Sequence, residues 1–287
     1  MSAYRFCRTD DIGLLVDALN RCWAPYFPDE PPMTPAAFKR SIRDLQVWCS
    51  SCMVAFSGSD PIGVLIGAKR PSATLIHRIA VHPDHVRQGH ARHLLTSLGS
   101  KLAILGPPRI VAEVPETFAS ACALFRASGY MEEATLTDYV LEGKEEEQAV
   151  RAVTGSFVIP ITIDDVAAND LLGESDPQVC WERSVETLTA RKDDIAGLAV
   201  ASDERIEAYL LYAAREPEVE IVSLRSFIDD GGARLKQLLS RIGVGSFEFR
   251  KVHPAEISKE FLATLGFRPA GRHPLYAASL RQRSGSP

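Results

Sequence analysis

Apolar residues along the chain follow two periods, and the alternation between them lays out one succession of elements twice. YRFC, from Tyr4, is a short strand-like run, and TDDIGLLVDAL follows it from Thr9 as a helix that opens on paired acids. Carboxylates suit a helix N-terminus because they accept its orphan amides and oppose its dipole. SFVIPIT and then IDDVAANDLL, from Ile163, repeat the pair. Each half continues with a hairpin of apolar arms around a polar turn, MVAFSGSDPIGVLIGA from Met53 and GLAVASDERIEAYLLYA from Gly197. LIHRIAV, residues 75–81, reads as a buried strand closed by Pro83 and Asp84. After it, Ala91, Leu94, Leu95, Leu98 and Leu102 recur at helical spacing. The second half offers a strand and then ARLKQLLSRI from Ala233. Both halves close with a strand, the first being RIVAEV (109–114), and an amphipathic helix stopped by glycine and an aromatic residue. Those stops are ALFRASGY, ending at Tyr130, and FLATLGF, ending at Phe267.

The separation of equivalent points shrinks along the chain: 154 residues from Asp11 to Asp165, 144 from Ile62 to Ile206, and 137 from Gly129 to Gly266. The second copy has therefore lost residues in two places. One loss lies opposite WAPYFPDEPPMTPAAF (23–38), the other between the central strand and its helix. A self-similar pair of α+β units accounts for the order, joined through the acidic stretch GKEEEQAVRAVTG, residues 143–155. The expected domains are 1–145 and 156–281. The length of 287 residues agrees, since it fits two domains of about 140.

Composition narrows the class without changing this layout. With 46% hydrophobic and 24% charged residues the chain can build a core without disulfides or metals. A net charge of −5 argues against a general affinity for nucleic acid, which needs concentrated Lys and Arg. The N-terminal MSAYRFCRTDD lacks a basic-then-apolar signal pattern, and no apolar run approaches the roughly 18 residues that span a bilayer. A cytoplasmic protein with no membrane partner is expected. Of six cysteines only Cys49 and Cys52 have C-x-x-C spacing, and with no second pair they read as half-buried thiols in a reducing compartment.

The chemistry concentrates in RIAVHPDHVRQGHARHLL, residues 78–95, where an apolar strand runs into a turn of arginine, histidine and glycine. Gly89 lets a bulky ligand approach the backbone, and the amides near Gln88 to Arg92 have no partner within the helix that begins there. Those amides and the helix dipole form an anion site, to which Arg87 and Arg92 add charge. Five of the seven histidines fall between 77 and 93. His90 and His93 share a helix face, but no H-E-x-x-H arrangement or accompanying carboxylate is present, so no metal is expected.

This stretch resembles motif A of the GNAT (GCN5-related) N-acetyltransferases, a V-x-P strand end followed by Q/R-x-x-G-x-G/A and a Leu-rich helix. Val81-His82-Pro83 supplies the strand end and Val86-Arg87-Gln88-Gly89-His90-Ala91 the loop, with Val86 in place of the usual Gln or Arg. The first helix, the 53–68 hairpin, RIVAEV and ALFRASGY (as motif B) extend the likeness across the first half. A weaker continuation makes the chain similar to a tandem member of the superfamily. The resemblance implies an α/β/α sandwich in two tandem GNAT-like domains, each a mixed, mostly antiparallel twisted sheet flanked by helices.

It further implies acetyl-CoA as cosubstrate. The pantetheine arm would run along Ile79, Ala80 and Val81, the pyrophosphate would meet Arg87, Gln88, Gly89, His90, Ala91 and Arg92, and Phe125 would border the cofactor. The acetyl group would pass to a primary amine of a small molecule or peptide, by direct attack in a ternary complex. Glu113 in RIVAEV is the first candidate for the base, with a solvated strand-edge carboxylate as the other reading, and His77 is the second. Motif B commonly carries a tyrosine four residues before its glycine, where this chain has Phe125, so Tyr130, Tyr139 or water would protonate the thiolate, or it would leave without help. The second copy reads as inactive, because Phe227-Ile228-Asp229-Asp230-Gly231-Gly232-Ala233 sets two carboxylates where a pyrophosphate would lie. Residues 23–38 would cover the acceptor, with Trp23, Tyr26 and Phe27 as apolar walls and Asp29 and Glu30 attracting a cationic amine; an ordinary proline-rich surface loop is the other reading. A monomer with an internal pseudo-dimer is expected. Two other readings stay open: a non-catalytic CoA-binding sensor or scaffold, and transfer of another acyl chain or to an O-acceptor.

Overall fold

The structure, a computed structural model, describes residues 2–143, 157–172, 179–215, 218–243 and 245–280. The elements of the first half are β1 (Ser2–Phe6), α1 (Ile12–Cys22), α2 (Pro35–Leu45), β2 (Met53–Ser57), β3 (Asp60–Lys69), β4 (Thr74–Val81), α3 (His90–Leu105), β5 (Arg109–Glu113), α4 (Ala119–Ala127) and β6 (Met131–Leu141). The second half holds β7 (Phe157–Ile161), α5 (Ile163–Ala168), α6 (Val185–Ala190), β8 (Ala196–Ala201), β9 (Ile206–Arg215), β10 (Glu218–Ser226), α7 (Ala233–Ile242), β11 (Ser246–Val252), α8 (Lys259–Thr264) and β12 (Arg268–Ser279).

Two compact units result, Met1–Glu133 with Pro274–Pro287, and Ala134–His273. Both edges fall inside long strands, so the last strand of the chain completes the sheet of the first unit. The acidic stretch 143–155, read from the sequence as the joint, lies beyond Gly143 outside the described residues.

In the first unit the strands run β1-β2-β3-β4-β5 and then the end of β12, where Leu275 to Ser279 pair with Glu113 to Arg109. In the second they run β6-β11-β10-β9-β8-β7. One neighbouring pair in each unit is parallel among the described residues, β4 with β5 and β10 with β11, and the remaining pairs described within each unit are antiparallel. Each unit is thus a mixed, mostly antiparallel sheet flanked by helices, as expected.

The repeat is written most clearly in irregularities of register. Ala55 faces Gly63 and Phe56 faces Pro61, which leaves Ile62 as the extra residue of a bulge in β3. In β9 the pairs Val200–Ala208 and Ala201–Ile206 leave Glu207 in the same position, 145 residues on. A second bulge puts His77 of β4 between Ile76 and Arg78, which face Gly67 and Ile66, and Val222 of β10 stands at the same separation.

Helix packing follows the apolar spacing. Leu94, Leu95, Leu98 and Leu102 bury one face of α3 against Met53, Leu65, Ile76 and Ile110. Leu235, Leu238 and Leu239 do so for α7 against Leu210, Ile221 and Phe247. The paired acids play different parts in the two copies. Asp165 completes a capping box, its amide bonded to Thr162 Oγ1 at 3.1 Å while its carboxylate accepts the Thr162 amide at 2.8 Å. Asp11 does not cap α1, because its carboxylate is turned back onto the Arg8 amide at 2.7 Å and the Arg5 guanidinium at 2.9 Å. Among the described residues no helix is long and apolar enough to cross a membrane.

Candidate functional site: a split strand pair beside an open helix N-terminus

β4 and β5 share two paired positions, Thr74–Ile110 and Leu75–Val111, and their ladder ends there although β4 continues to Val81 and β5 to Glu113. The His77 bulge follows at once and adds local twist where the two strands separate. Ile79, Ala80 and Val81 therefore line the β4 side of an opening, and Glu113 stands on β5 beyond the last shared pair. His77 and Glu113 are both half-buried, on either side of the split.

At the end of β4 a short 3-10 turn, Pro83–His85, leads into Arg87 at φ 64° and Gly89 at φ 89°. Glycine tolerates that conformation; an arginine there is uncommon, and such outliers gather at binding loops. α3 starts at His90 with no side-chain cap and no acid in its first turn. Its ladder begins with the His93 amide on the Gly89 carbonyl at 3.0 Å, so the amides of His90, Ala91 and Arg92 are the helix's orphan donors. Arg87, Gln88, Gly89 and Arg92 are exposed around them, and Ala91 is half-buried. The His90 side chain turns inward, its Nδ1 2.7 Å from the Tyr4 hydroxyl. Burial, with His85 and His93 nearby, lowers its pKa, so at neutral pH His90 presents an amide and no charge.

The second unit has the same turn in a closed form. Gly231 and Gly232 take φ 63° and 82° before α7. The Asp230 carboxylate accepts the amides of Gly232, Ala233 and Arg234 at 2.9, 3.1 and 3.1 Å. The donors that are open at α3 are occupied here by the protein's own anion.

Phe125 and Tyr130 are buried. Both are core residues of the first unit, edge-on to each other at 5.2 Å, and Phe125 stacks on Tyr276 at 5.7 Å. Burial raises the Tyr130 hydroxyl to about 12. Tyr139 belongs to the second unit and packs in its core.

Segment 23–38 is built differently from a simple loop. A 3-10 turn, Ala24–Tyr26, is followed by α2, which Thr34 caps by accepting the Ala37 amide at 3.1 Å. Trp23 and Phe27 stack at 4.3 Å, and Phe27 meets Phe118 at 5.2 Å. The Tyr26 hydroxyl donates to the Val81 carbonyl at 2.7 Å and ties the segment to the end of β4. Asp29 is exposed, whereas Glu30 accepts Trp23 Nε1 at 3.3 Å and lies 3.9 Å from Arg78. Sequence reasoning passed over Arg78, although a charge in the apolar run LIHRIAV was visible.

All six cysteines are free and buried, and burial raises Cys7 to about 12 and Cys22 to about 11. Among the described residues no group of three or more His, Cys, Asp and Glu side chains is arranged to hold a metal ion. The second unit contains a polar cavity of about 330 Å³, but its charges are paired internally as Asp138–His273, Lys251–Glu182 and Arg250–Glu248. The split in the first unit fits the chemistry better.

A split parallel pair beside a helix N-terminus occurs in both units, open at α3 and closed by Asp230 at α7. Residues 14–130 match the model of the acetyltransferase (GNAT) family. The fold matches the GCN5-related N-acetyltransferase of Sphaerobacter thermophilus at TM-score 0.70 and 14% identity, over 98% of this chain and 96% of that one. A tandem GNAT protein from the clavulanic acid biosynthesis pathway matches at 0.65 and 16%, over 98% of both chains. An acetyltransferase-like protein of Pyrococcus horikoshii matches at 0.61 and 14%, over 97% and 89%. No curated protein matches the sequence. The family match is confined to residues 14–130, and the chain as a whole has the tandem GNAT fold.

Proposed function

We propose that the first unit transfers the acetyl group of acetyl-CoA to a primary amine of a small molecule or peptide in the cytoplasm. The observation that carries this is the uncapped N-terminus of α3, with Gly89 left-handed and three orphan amides beside the β4–β5 split. The pyrophosphate would sit on the amides of Gly89 to Arg92 with Arg87, Gln88 and Arg92 around it. The pantetheine arm would follow Ile79 to Val81, and a β4 amide would receive the oxyanion.

In the ternary complex the amine nitrogen forms a C–N bond to the thioester carbonyl carbon and the C–S bond breaks. The proton lost by the amine passes to Glu113, or to His77 in its place, and the leaving thiolate is reprotonated from water. Tyr130 and Phe125 shape the core behind the split and carry no proton in this reading. Residues 156–281 would bind no cofactor, since Asp230 already fills the equivalent amides. We expect a monomer, and sedimentation velocity showing a stable dimer would contradict that.

Calorimetric titration with acetyl-CoA beside a Gly89→Asp variant tests the reading. A Cβ at Gly89 would meet nothing within 4 Å, so the variant adds charge and local backbone strain without a packing clash. One site per chain, lost in the variant, is expected. Two sites would contradict the closed second unit, and no binding would remove the transferase assignment.

A further inference from the structure

Val81 turns its amide and its carbonyl toward the split. Its neighbour His82 gives its amide to the Ile62 carbonyl of β3 at 2.9 Å, and successive residues of a strand bond to opposite edges, so Val81 faces away from β3. Tyr26 donates to that split-facing carbonyl at 2.7 Å. Phe27, one residue on, reaches the other lip, where it meets Phe118 at 5.2 Å in the turn between β5 and α4. The amides of Tyr26, Phe27 and Glu30 bond to the carbonyls of Trp23, Ala24 and Phe27 at 3.0, 3.0 and 3.1 Å, so one stiff turn carries both side chains. Asn20 shuts the base of the segment, accepting the Met33 amide at 2.7 Å and donating to the Met33 carbonyl at 3.0 Å. Arg78 of β4 adds a contact over the Trp23 ring at 4.9 Å.

We infer that Tyr26 is a positioning residue: with Phe27 it straps the two lips of the split together, so that an acyl-CoA arm lying in the split orders segment 23–33, the side expected to meet the acceptor. This rests on acetyl-CoA binding at the β4–β5 split. The ladder between β4 and β5 ends at Leu75, so an arm that bonds along Ile79 to Val81 fixes the width of the opening beyond it. The two anchors of the strap stand on opposite lips, and fixing the width selects the arrangement in which both contacts are made at once. A ligand shifts such an equilibrium only by what it binds differently in the two arrangements. Tyr26 transmits that difference, because its bond ends on the strand the arm would lie against. The ring contact at Phe118 alone reaches only the β5 lip.

The test is residue-resolved hydrogen exchange of the full chain with and without saturating acetyl-CoA. The amides of Tyr26, Phe27 and Glu30 are bonded inside the segment, so their exchange reports its opening and not contact with the ligand. Saturation should slow them about fivefold, the factor that one hydrogen bond of ordinary strength corresponds to. Tyr26→Phe keeps the ring and removes the bond, and the slowing should fall below about twofold. The amides of His90, Ala91 and Arg92 should stay protected by the pyrophosphate in that variant. Phe118→Ala frees the other lip and should act in the same way.

The inference is overturned if saturation protects His90 to Arg92 in the parent and leaves exchange in the segment unchanged. It is overturned too if saturation speeds that exchange, which would mean that the arm takes the Val81 carbonyl from Tyr26. A third contrary result is that Tyr26→Phe speeds exchange equally with and without acetyl-CoA and keeps the ratio between them, the mark of a merely structural bond. No protection at His90 to Arg92 in the parent would instead remove the binding that the transferase reading requires, and this inference with it.

Discussion

Asp230 accepts the Arg234 amide at 3.1 Å and the Arg234 guanidinium at 2.8 Å, closing the N-terminus of α7 with a side chain four residues behind its partner. Burial alone would raise the Asp230 pKa. The bonds from the Arg234 side chain and from the amides of Arg234 and Gly232 outweigh it and hold the carboxyl below its usual range. A carboxyl depressed in the folded state stabilises the fold above its unfolded pKa, and that contribution is lost as pH falls through the folded value. Asp230→Asn keeps a capping oxygen but loses the charge that faces the Arg234 guanidinium, and should cost about 1 kcal/mol at neutral pH. The difference should vanish only in urea melts run below the depressed pKa that Asp230 has in the folded state. An unchanged gap between variant and parent in acid would show that the effect is packing and not charge.

Arg87 and Arg92 are exposed beside the open turn of α3. Each should contribute to acetyl-CoA binding mainly by charge, in a site that salt screens. Replacing either by Ala is expected to weaken binding by about fivefold and to flatten its dependence on salt. Titrations at two ionic strengths measure this. Equal losses at both would mean that the arginine acts by shape.

The order of elements was legible because each rests on a local signal: hairpin alternation, the leucine spacing of α3, and the glycines that stop α4 and α8. The anion turn was legible for the same reason, since Gly89 and the residues around it act through their backbone. The environment of side chains was not. Nothing local says that Tyr130 and Phe125 point into the core or that His90 turns to Tyr4. The completion of the first unit by residues after Pro274 is a long-range pairing that periodicity cannot carry. Asp230 was noticed as a charge unsuited to phosphate, but its role as a cap depends on the geometry of Gly231 and Gly232.

The buried thiols give a direct check on the packing of both units. Cys7, Cys22, Cys49, Cys52, Cys122 and Cys180 are all buried, and desolvation raises Cys7, Cys22, Cys49 and Cys52 above the usual thiol range. A thiol-specific chromogenic reagent at pH 7.5 should leave the native protein unlabelled over minutes and titrate six thiols after denaturation. Rapid labelling of Cys49 or Cys52 in the native state would contradict this packing and point to a redox role for the C-x-x-C pair.

Glu113 and His77 flank the same opening, and the reaction needs only one of them as base. General-base catalysis contributes about 10²- to 10⁴-fold, so Glu113→Gln should lower kcat by that order. Acetyl-CoA affinity should stay unchanged, because Glu113 stands across the split from the β4 backbone assigned to the cofactor. His77→Asn is the matched control and should cost less than about tenfold, reflecting the bulge it occupies more than the proton it could carry. The two variants are best compared through the pH dependence of kcat, where loss of the base removes the acid limb and a structural change lowers the whole profile. If Glu113→Gln retains full turnover while His77→Asn loses the acid limb, the proton goes to β4 and not to β5, and the transferase reading stands with its base reassigned.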